Sequence, residues 1–79
     1  MANKPPSGLV VFDSHHLAFK AEDVLKKASV RFVFKIVPAP RHLSLSCDYA
    51  LQVPADKLVE TESVLSSGGL VEGLEYHVV

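Results

Sequence analysis

The feature that most constrains the fold of this chain is a short apolar run followed at once by a helical pattern. Leu9-Val10-Val11-Phe12 is continuously apolar, as in a central strand that is buried on both faces. Ser14 follows two residues later and is a favourable helix N-cap. The sequence therefore predicts a strand that leads into a helix over residues 14–28, with Phe19 partly exposed. The apolar stripe of this helix is Leu17, Ala21, Val24, Leu25 and Ala28.

Four more elements follow in an order that fixes the topology. Period-two and helical patterns predict strands at 31–37 and 49–53, a helix at about 54–67 and a strand at 74–78. In the order βαββαβ, right-handed crossovers place the first strand between the third and the fourth. We therefore predict a ferredoxin-like α+β sandwich, with two helices on one face of a four-stranded antiparallel sheet.

Size and charge argue against several classes of function. The chain has 79 residues and a net charge of −1, so it offers no electrostatic case for nucleic acid or an anionic membrane. No apolar run approaches the ~20 residues of a membrane span, and the N-terminus lacks an apolar signal segment. We expect a flexible leader over residues 1–7 and one domain over residues 8–79. The single cysteine, Cys47, cannot form an internal disulfide, which fits a reducing cytoplasm.

The segment from Pro38 to Cys47 is the candidate functional loop. It is longer than the two to five residues of a usual hairpin link, and it contains the cysteine, one arginine, one histidine and two serines. Pro38 and Pro40 stiffen its start, because proline fixes φ and restricts the preceding residue. We interpret it as a shaped loop that presents Arg41 and Cys47.

The predicted topology brings this loop to the end of the sheet where the first helix begins. Ser14, His15 and His16 should therefore face Arg41 and Cys47. Free N–H groups, a hydroxyl and two imidazoles suit an anion such as phosphate, a carboxylate or a chalcogenide, and arginine can bind it with two hydrogen bonds. Ser46 completes the predicted binding residues: Ser14, His15, His16, Arg41 and Ser46. No metal site is expected, because adjacent histidines on a helix diverge by ~100°.

Two interpretations of the loop residues stay open. A lone cysteine is often a small packed hydrophobe, whereas a positive neighbourhood or a helix N-terminus lowers the pKa of a thiol and makes it reactive. Arg41 could likewise form a salt bridge with Asp13 or Asp48 instead of binding an anion. Chemistry at Cys47 and structural packing of Cys47 therefore remain alternatives.

Two linked motifs resemble the Se/S carrier protein-like family of small bacterial proteins. The first is S-x-H-x-A-x-x-A-E-x-x-L-K, which begins at Ser14, and the second is P-x-P-R-x-[IL]-S-x-x-C, which runs from Pro38 to Cys47. The resemblance implies that Cys47 accepts a persulfide or perselenide from sulfur or selenium donor proteins and passes it to acceptor proteins. The family usually has glycine after the cysteine, and here Asp48 places a negative charge that opposes thiolate formation.

We therefore expect a small cytosolic sulfur or selenium carrier that needs no cofactor. The alternative is a non-catalytic module that binds an anion, a ligand or a partner, with Cys47 structural. Enzymatic turnover ranks third, because the chain lacks a poised acid–base pair. The sheet face away from the helices is expected to expose Val33, Val11 or Val10, and Val79, which predicts a homodimer or a partner complex.

Overall fold

Residues 6–43 and 48–79 are described by the computed structural model. They form a four-stranded antiparallel sheet in the order β2-β3-β1-β4, with two helices on one face. β1 lies between β3 and β4, so the predicted ferredoxin-like arrangement is confirmed. The elements are β1 (Ser7–Phe12), α1 (His15–Lys27), β2 (Lys35–Pro38), β3 (Tyr49–Pro54), α2 (Leu58–Ser67) and β4 (Leu74–Val78).

α1 forms where the sequence places a cap and an apolar face. The Ser14 backbone is extended, and its hydroxyl oxygen accepts a hydrogen bond from the Leu17 N–H (3.3 Å), which satisfies one of the free donors of the first turn. Leu17 and Val24 pack at the margin of the core, and the predicted stripe is wrong only at Ala28, which is the exposed C-cap. The fully buried residues of the helix are Ala18, Ala21 and Leu25.

The main core lies between the sheet and the two helices. Val10 and Leu51 contribute from β1 and β3, Leu25 from α1 and Leu65 from α2. Complete burial of each such side chain stabilises the fold by about 1.5–3 kcal/mol. Gly8 allows close contact between β1 and α2, because a Cβ there would overlap the Leu58 side chain.

β2 is shorter than predicted, because residues 31–34 do not join the sheet. Lys35 pairs with Gln52, so continuing the register would place Val33 opposite Pro54, which has no N–H to donate. Phe32 and Phe34 nevertheless pack against the core, with ring centroids 6.5 Å apart. The period-two pattern therefore reports burial of alternate side chains here rather than strand pairing.

The second helix begins as a tighter turn. Ala55–Lys57 is a 3₁₀ turn that leads into α2, and the Thr61 hydroxyl donates a hydrogen bond to the Lys57 carbonyl (2.7 Å). Thr61 is thereby buried without an unsatisfied hydroxyl. Neither helix of the described residues is long and apolar enough to cross a membrane.

The sheet face away from the helices carries a second, smaller apolar cluster. Leu9, Val11 and Ala50 are buried there, with Val37 of β2 and Ala39 and Leu43 of the following loop packed against them. Val11 lies on this face as expected, but the expected exposure is wrong because Val11 is buried in the cluster, and Val10 faces the helices instead. Val33 and Val79 are exposed, as expected.

Candidate functional site

The first part of the site is the start of α1. Ser14, His15 and His16 are all exposed. The Ser14 oxygen accepts the Leu17 N–H, so the hydroxyl hydrogen remains to be donated elsewhere. His15 and His16 are consecutive helical residues, and their imidazoles leave the helix in different directions.

The second part is an aromatic contact between α1 and β3. The ring of His15 stands edge-on to the ring of Tyr49, with centroids 5.4 Å apart and planes at 70°. Phe19, one helical turn after His15, lies beside the same tyrosine with centroids 6.4 Å apart. Phe19 is 53% exposed and Tyr49 is 40% exposed, so the three rings form an aromatic surface open to a partner. Sequence reasoning did not place Phe19 or Tyr49 in the site, although the four-residue spacing of His15 and Phe19 was a signal.

The third part is the loop that follows β2. The Ala39 N–H donates a hydrogen bond to the Asp48 carbonyl (2.8 Å), which closes the loop at its base next to the Pro38–Tyr49 pair. The Leu43 N–H donates to the Pro40 carbonyl (3.0 Å), so residues 40–43 form a hydrogen-bonded turn. Arg41 is at the tip of this turn and is exposed. The described half of the loop is therefore shaped, as the two prolines predict.

Arg41 is electrostatically free within the described residues. It forms no ion pair across residues 6–43 and 48–79, so neither Asp13 nor Asp48 neutralises it there. The backbone N–H of Asp13 donates a hydrogen bond to the Gly73 carbonyl (2.8 Å), and this bond holds the Asp13 backbone in place. An exposed, unpaired guanidinium is what anion binding at the turn requires.

A comparison with family models connects these features. Residues 7–76 match the family described as "Putative Se/S carrier protein-like". The chain belongs to this family. Searches of curated proteins and of solved structures find no match.

The Se/S carrier match spans both motifs of the sequence and reaches from β1 into β4. Two predicted site residues of this carrier-like protein, Ser46 and Cys47, lie outside the described residues, as do residues 1–5 of the expected leader. The described residues connect His15 to the base of the cysteine loop through Tyr49, which follows Cys47 by two positions. The predicted convergence of Ser14, His16 and Arg41 on the thiol stays a prediction.

The described residues of this Se/S carrier-like protein contain no cluster of metal ligands. In the two described ranges, no three residues among histidine, cysteine, aspartate and glutamate gather as metal ligands. The site as described offers hydrogen-bond donors, imidazoles, one guanidinium and an aromatic surface. This chemistry suits binding an anion and contacting a partner protein.

Proposed function

We propose that this protein is a cytoplasmic sulfur or selenium carrier in which Cys47 holds the transferred atom as a persulfide or perselenide. The observation that carries the proposal is the His15–Tyr49 contact, because it attaches the start of α1 to the strand that begins two residues after the cysteine. Family membership supports the same function. The partners are proteins that donate and accept the sulfur or selenium atom.

The transfer step needs the Cys47 thiolate and a donor persulfide, and no oxidant or reductant. The Cys47 thiolate attacks the outer sulfur of a donor cysteine persulfide, a new S–S bond forms at Cys47, and the old S–S bond breaks. The donor cysteine leaves as a thiolate, and the proton of the persulfide stays with the transferred sulfur. Delivery is the reverse exchange with an acceptor thiolate, so no external oxidant or reductant enters. A perselenide transfers in the same way, with selenium as the outer atom.

The charged and polar residues act on this step by stabilising negative charge. Arg41 supplies a permanent positive charge at the tip of the loop, and the α1 start supplies N–H groups and the Ser14 hydroxyl. We infer that these groups bind the anionic sulfur of Cys47 together with His15, His16 and Ser46. Asp48 works against them through its negative charge.

Mass spectrometry tests the proposal directly. The folded protein is incubated with glutathione persulfide, and intact mass and peptide mass are measured. We expect one additional sulfur atom on the peptide that contains Cys47 and none in Cys47→Ser. Protein purified from its native host should carry sulfur or selenium at the same position. Absence of the added atom in both experiments would overturn the carrier function.

The alternative function is a non-catalytic module that binds an anion, a ligand or a partner, with Cys47 packed. Its specific support is the packing of Ala39 and Leu43 on the Leu9, Val11 and Ala50 cluster, which shows that this loop has an apolar underside. Iodoacetamide separates the two functions. A carrier thiol is alkylated in the folded protein, whereas a packed thiol reacts only after unfolding in urea.

Self-association is a further part of the proposal. Val33 and Val79 are 79% and 53% exposed, so both apolar side chains are accessible to a partner. We expect a homodimer or a complex with the partner protein. Light scattering that shows a monomer across a wide concentration range would exclude the homodimer.

A further inference from the structure

A groove lies at the end of the sheet opposite to the cysteine loop. Ser7 pairs with Pro54 and Lys35 with Gln52, so the start of β1, the end of β3 and the start of β2 meet there. The groove has a volume of about 460 Å³, which is within the usual range for small-molecule sites. It shares no residue with the anion site proposed around Cys47, although Val33 also belongs to the surface proposed for self-association.

The walls of the groove are mainly apolar. Pro6, Val33, Pro54 and Ala55 line it together with Val53. Val33 is 79% exposed, because it precedes β2 and pairs with no strand among the described residues. An exposed branched side chain beside two prolines gives a preformed apolar wall, since proline restricts the backbone.

The polar groups of the groove are few and lie close together in the sheet register. Lys35 and Gln52 are paired residues of β2 and β3, and both line the groove. The Gln52 side-chain amide donates a hydrogen bond to the Ser7 hydroxyl (3.1 Å), which fixes the orientation of the amide. One ammonium and one oriented amide thus lie on the same side of the groove.

Two ionised side chains line the groove, Lys35 and Asp56. Within the described residues Lys35 takes part in no ion pair. Asp56 forms no ion pair within the described residues either, but it lies in the turn that leads into α2, where the partial positive charge of the helix start stabilises a carboxylate. Lys35 is therefore the charged side chain of the groove that has no such local stabilisation, and it is available to bind an anion.

We propose that this groove binds a small carboxylate with an apolar tail. The carboxylate lies against the Lys35 ammonium and the Gln52 amide, and the tail lies along Val33 and Pro54. Phosphate-sized anions without a tail do not use the apolar wall, and neutral apolar molecules leave Lys35 unpaired. The inference is independent of Cys47 and of the carrier function.

A titration followed by ¹⁵N–¹H correlation spectra tests the site with 3-phenylpropanoate as the probe. We expect saturable shifts at residues 33–35 and 52–56, with Kd on the order of 1 mM for a ligand of this size. The neutral 3-phenylpropan-1-ol and the tail-less propanoate should each bind at least about fivefold more weakly, because each lacks one half of the interaction.

Matched variants test the charged contact with Lys35 and the apolar contact with Val33 separately. Lys35→Gln should weaken 3-phenylpropanoate binding about fivefold, whereas Lys20→Gln should not change its Kd. Lys20 is also exposed and forms no ion pair in the part of the chain that the structure describes. Val33→Thr should weaken it about threefold. Val59→Thr is the matched control, because Val59 is also 79% exposed but lies on α2.

Three results would overturn the proposal. The first is an absence of saturable shifts at residues 33–35 and 52–56. The second is equal binding of the carboxylate and the alcohol. The third is an equal effect of each test variant and its control. Glutathione persulfide transfer to Cys47 should be unchanged in Lys35→Gln, so failure of the groove leaves the carrier function untouched.

Discussion

The edge of the His15 ring meets Tyr49 at 5.4 Å between centroids and so attaches the first turn of α1 to the first residue of β3. Aromatic pairs in this geometry contribute about 0.5–1.5 kcal/mol beyond the area they bury. The contact is exposed, so the lower end of that range applies. It is the physical connection between the helix start and the base of the cysteine loop.

A double-mutant cycle measures this contact. His15→Ala, Tyr49→Ala and the double variant should show a coupling of about 0.5 kcal/mol in the free energy of unfolding by urea. The control cycle uses His16 with Tyr49, since His16 leaves the helix in another direction and should give no coupling. Equal coupling in the two cycles would mean that the His15–Tyr49 geometry does not matter in solution.

Arg41 should accelerate chemistry at Cys47. Its guanidinium is exposed and has no ion pair within the described residues, so its charge acts on whatever anion the loop holds. Arg41→Ala should slow alkylation of Cys47 by iodoacetamide about twofold to fivefold at fixed pH, as expected for one exposed charge, and it should weaken sulfate binding.

The neighbouring variant His42→Ala is the control for Arg41. Both residues are exposed in the same turn, so a general loosening of the loop would affect both variants alike. If Arg41→Ala changes neither alkylation nor sulfate binding, Arg41 is an ordinary surface residue and the anion site is not formed by it.

The order of the elements could be predicted because its signals are local. The apolar run Leu9-Val10-Val11-Phe12, the Ser14 cap and the period-two strands each depend on residues a few positions apart, and the crossover rule then fixes the sheet order. The extent of β2 could not be predicted in the same way. Its start at Lys35 depends on Pro54 in another strand, and only the register brings those positions together.

In the candidate site, too, local features could be predicted from the sequence and long-range contacts could not. Ser14 as a cap and the shaped turn around Arg41 follow from local chemistry, and the structure shows both. The contact of His15 with Tyr49 joins residues that are 34 positions apart, so it needs the tertiary fold. The packing of Leu43 against the sheet was not predicted for another reason. Leu43 lies in a loop, where no alternation of apolar and polar residues assigns a side chain to one face of the sheet.

Tyr76 should make the fold sensitive to alkaline pH. Burial raises the pKa of Tyr76 from its ordinary 10.0 to about 12, and the negative charge of Glu62 adds to the effect. The folded state therefore retains the phenol proton over a pH range in which the unfolded state loses it. The stability that this provides is complete below pH 10 and is lost as the pH rises from 10 to about 12.

Urea unfolding at a series of alkaline pH values measures this effect. Tyr76→Phe should flatten the decline in the free energy of unfolding above pH 10. Tyr49→Phe is the comparison, because it also removes a phenol but at an exposed position. A decline of the same steepness in Tyr76→Phe and in the unmodified protein would show that Tyr76 does not contribute to it.

Asp48 should restrain the reactivity of Cys47 through its charge. Its side chain is adjacent to the cysteine in sequence, whereas its backbone carbonyl accepts the Ala39 N–H that closes the loop. Substitution of the side chain keeps that hydrogen bond and removes the carboxylate. Asp48→Asn should therefore increase the rate of Cys47 alkylation about twofold to fivefold at neutral pH, because one exposed like charge no longer opposes the thiolate.

Asp48→Gly separates charge from backbone freedom at the same position. If only charge matters, Asp48→Gly and Asp48→Asn should raise the alkylation rate equally. A larger rate for Asp48→Gly would show that the loop also gains from a residue that permits positive φ. The alkylation rate of Asp48→Asn is divided by that of the unmodified protein at low and at high ionic strength. If the Asp48 carboxylate acts through its charge, this ratio should approach one at high ionic strength, because salt screens the charge. An unchanged rate in both variants at low ionic strength would show that the Asp48 carboxylate does not act on the thiol.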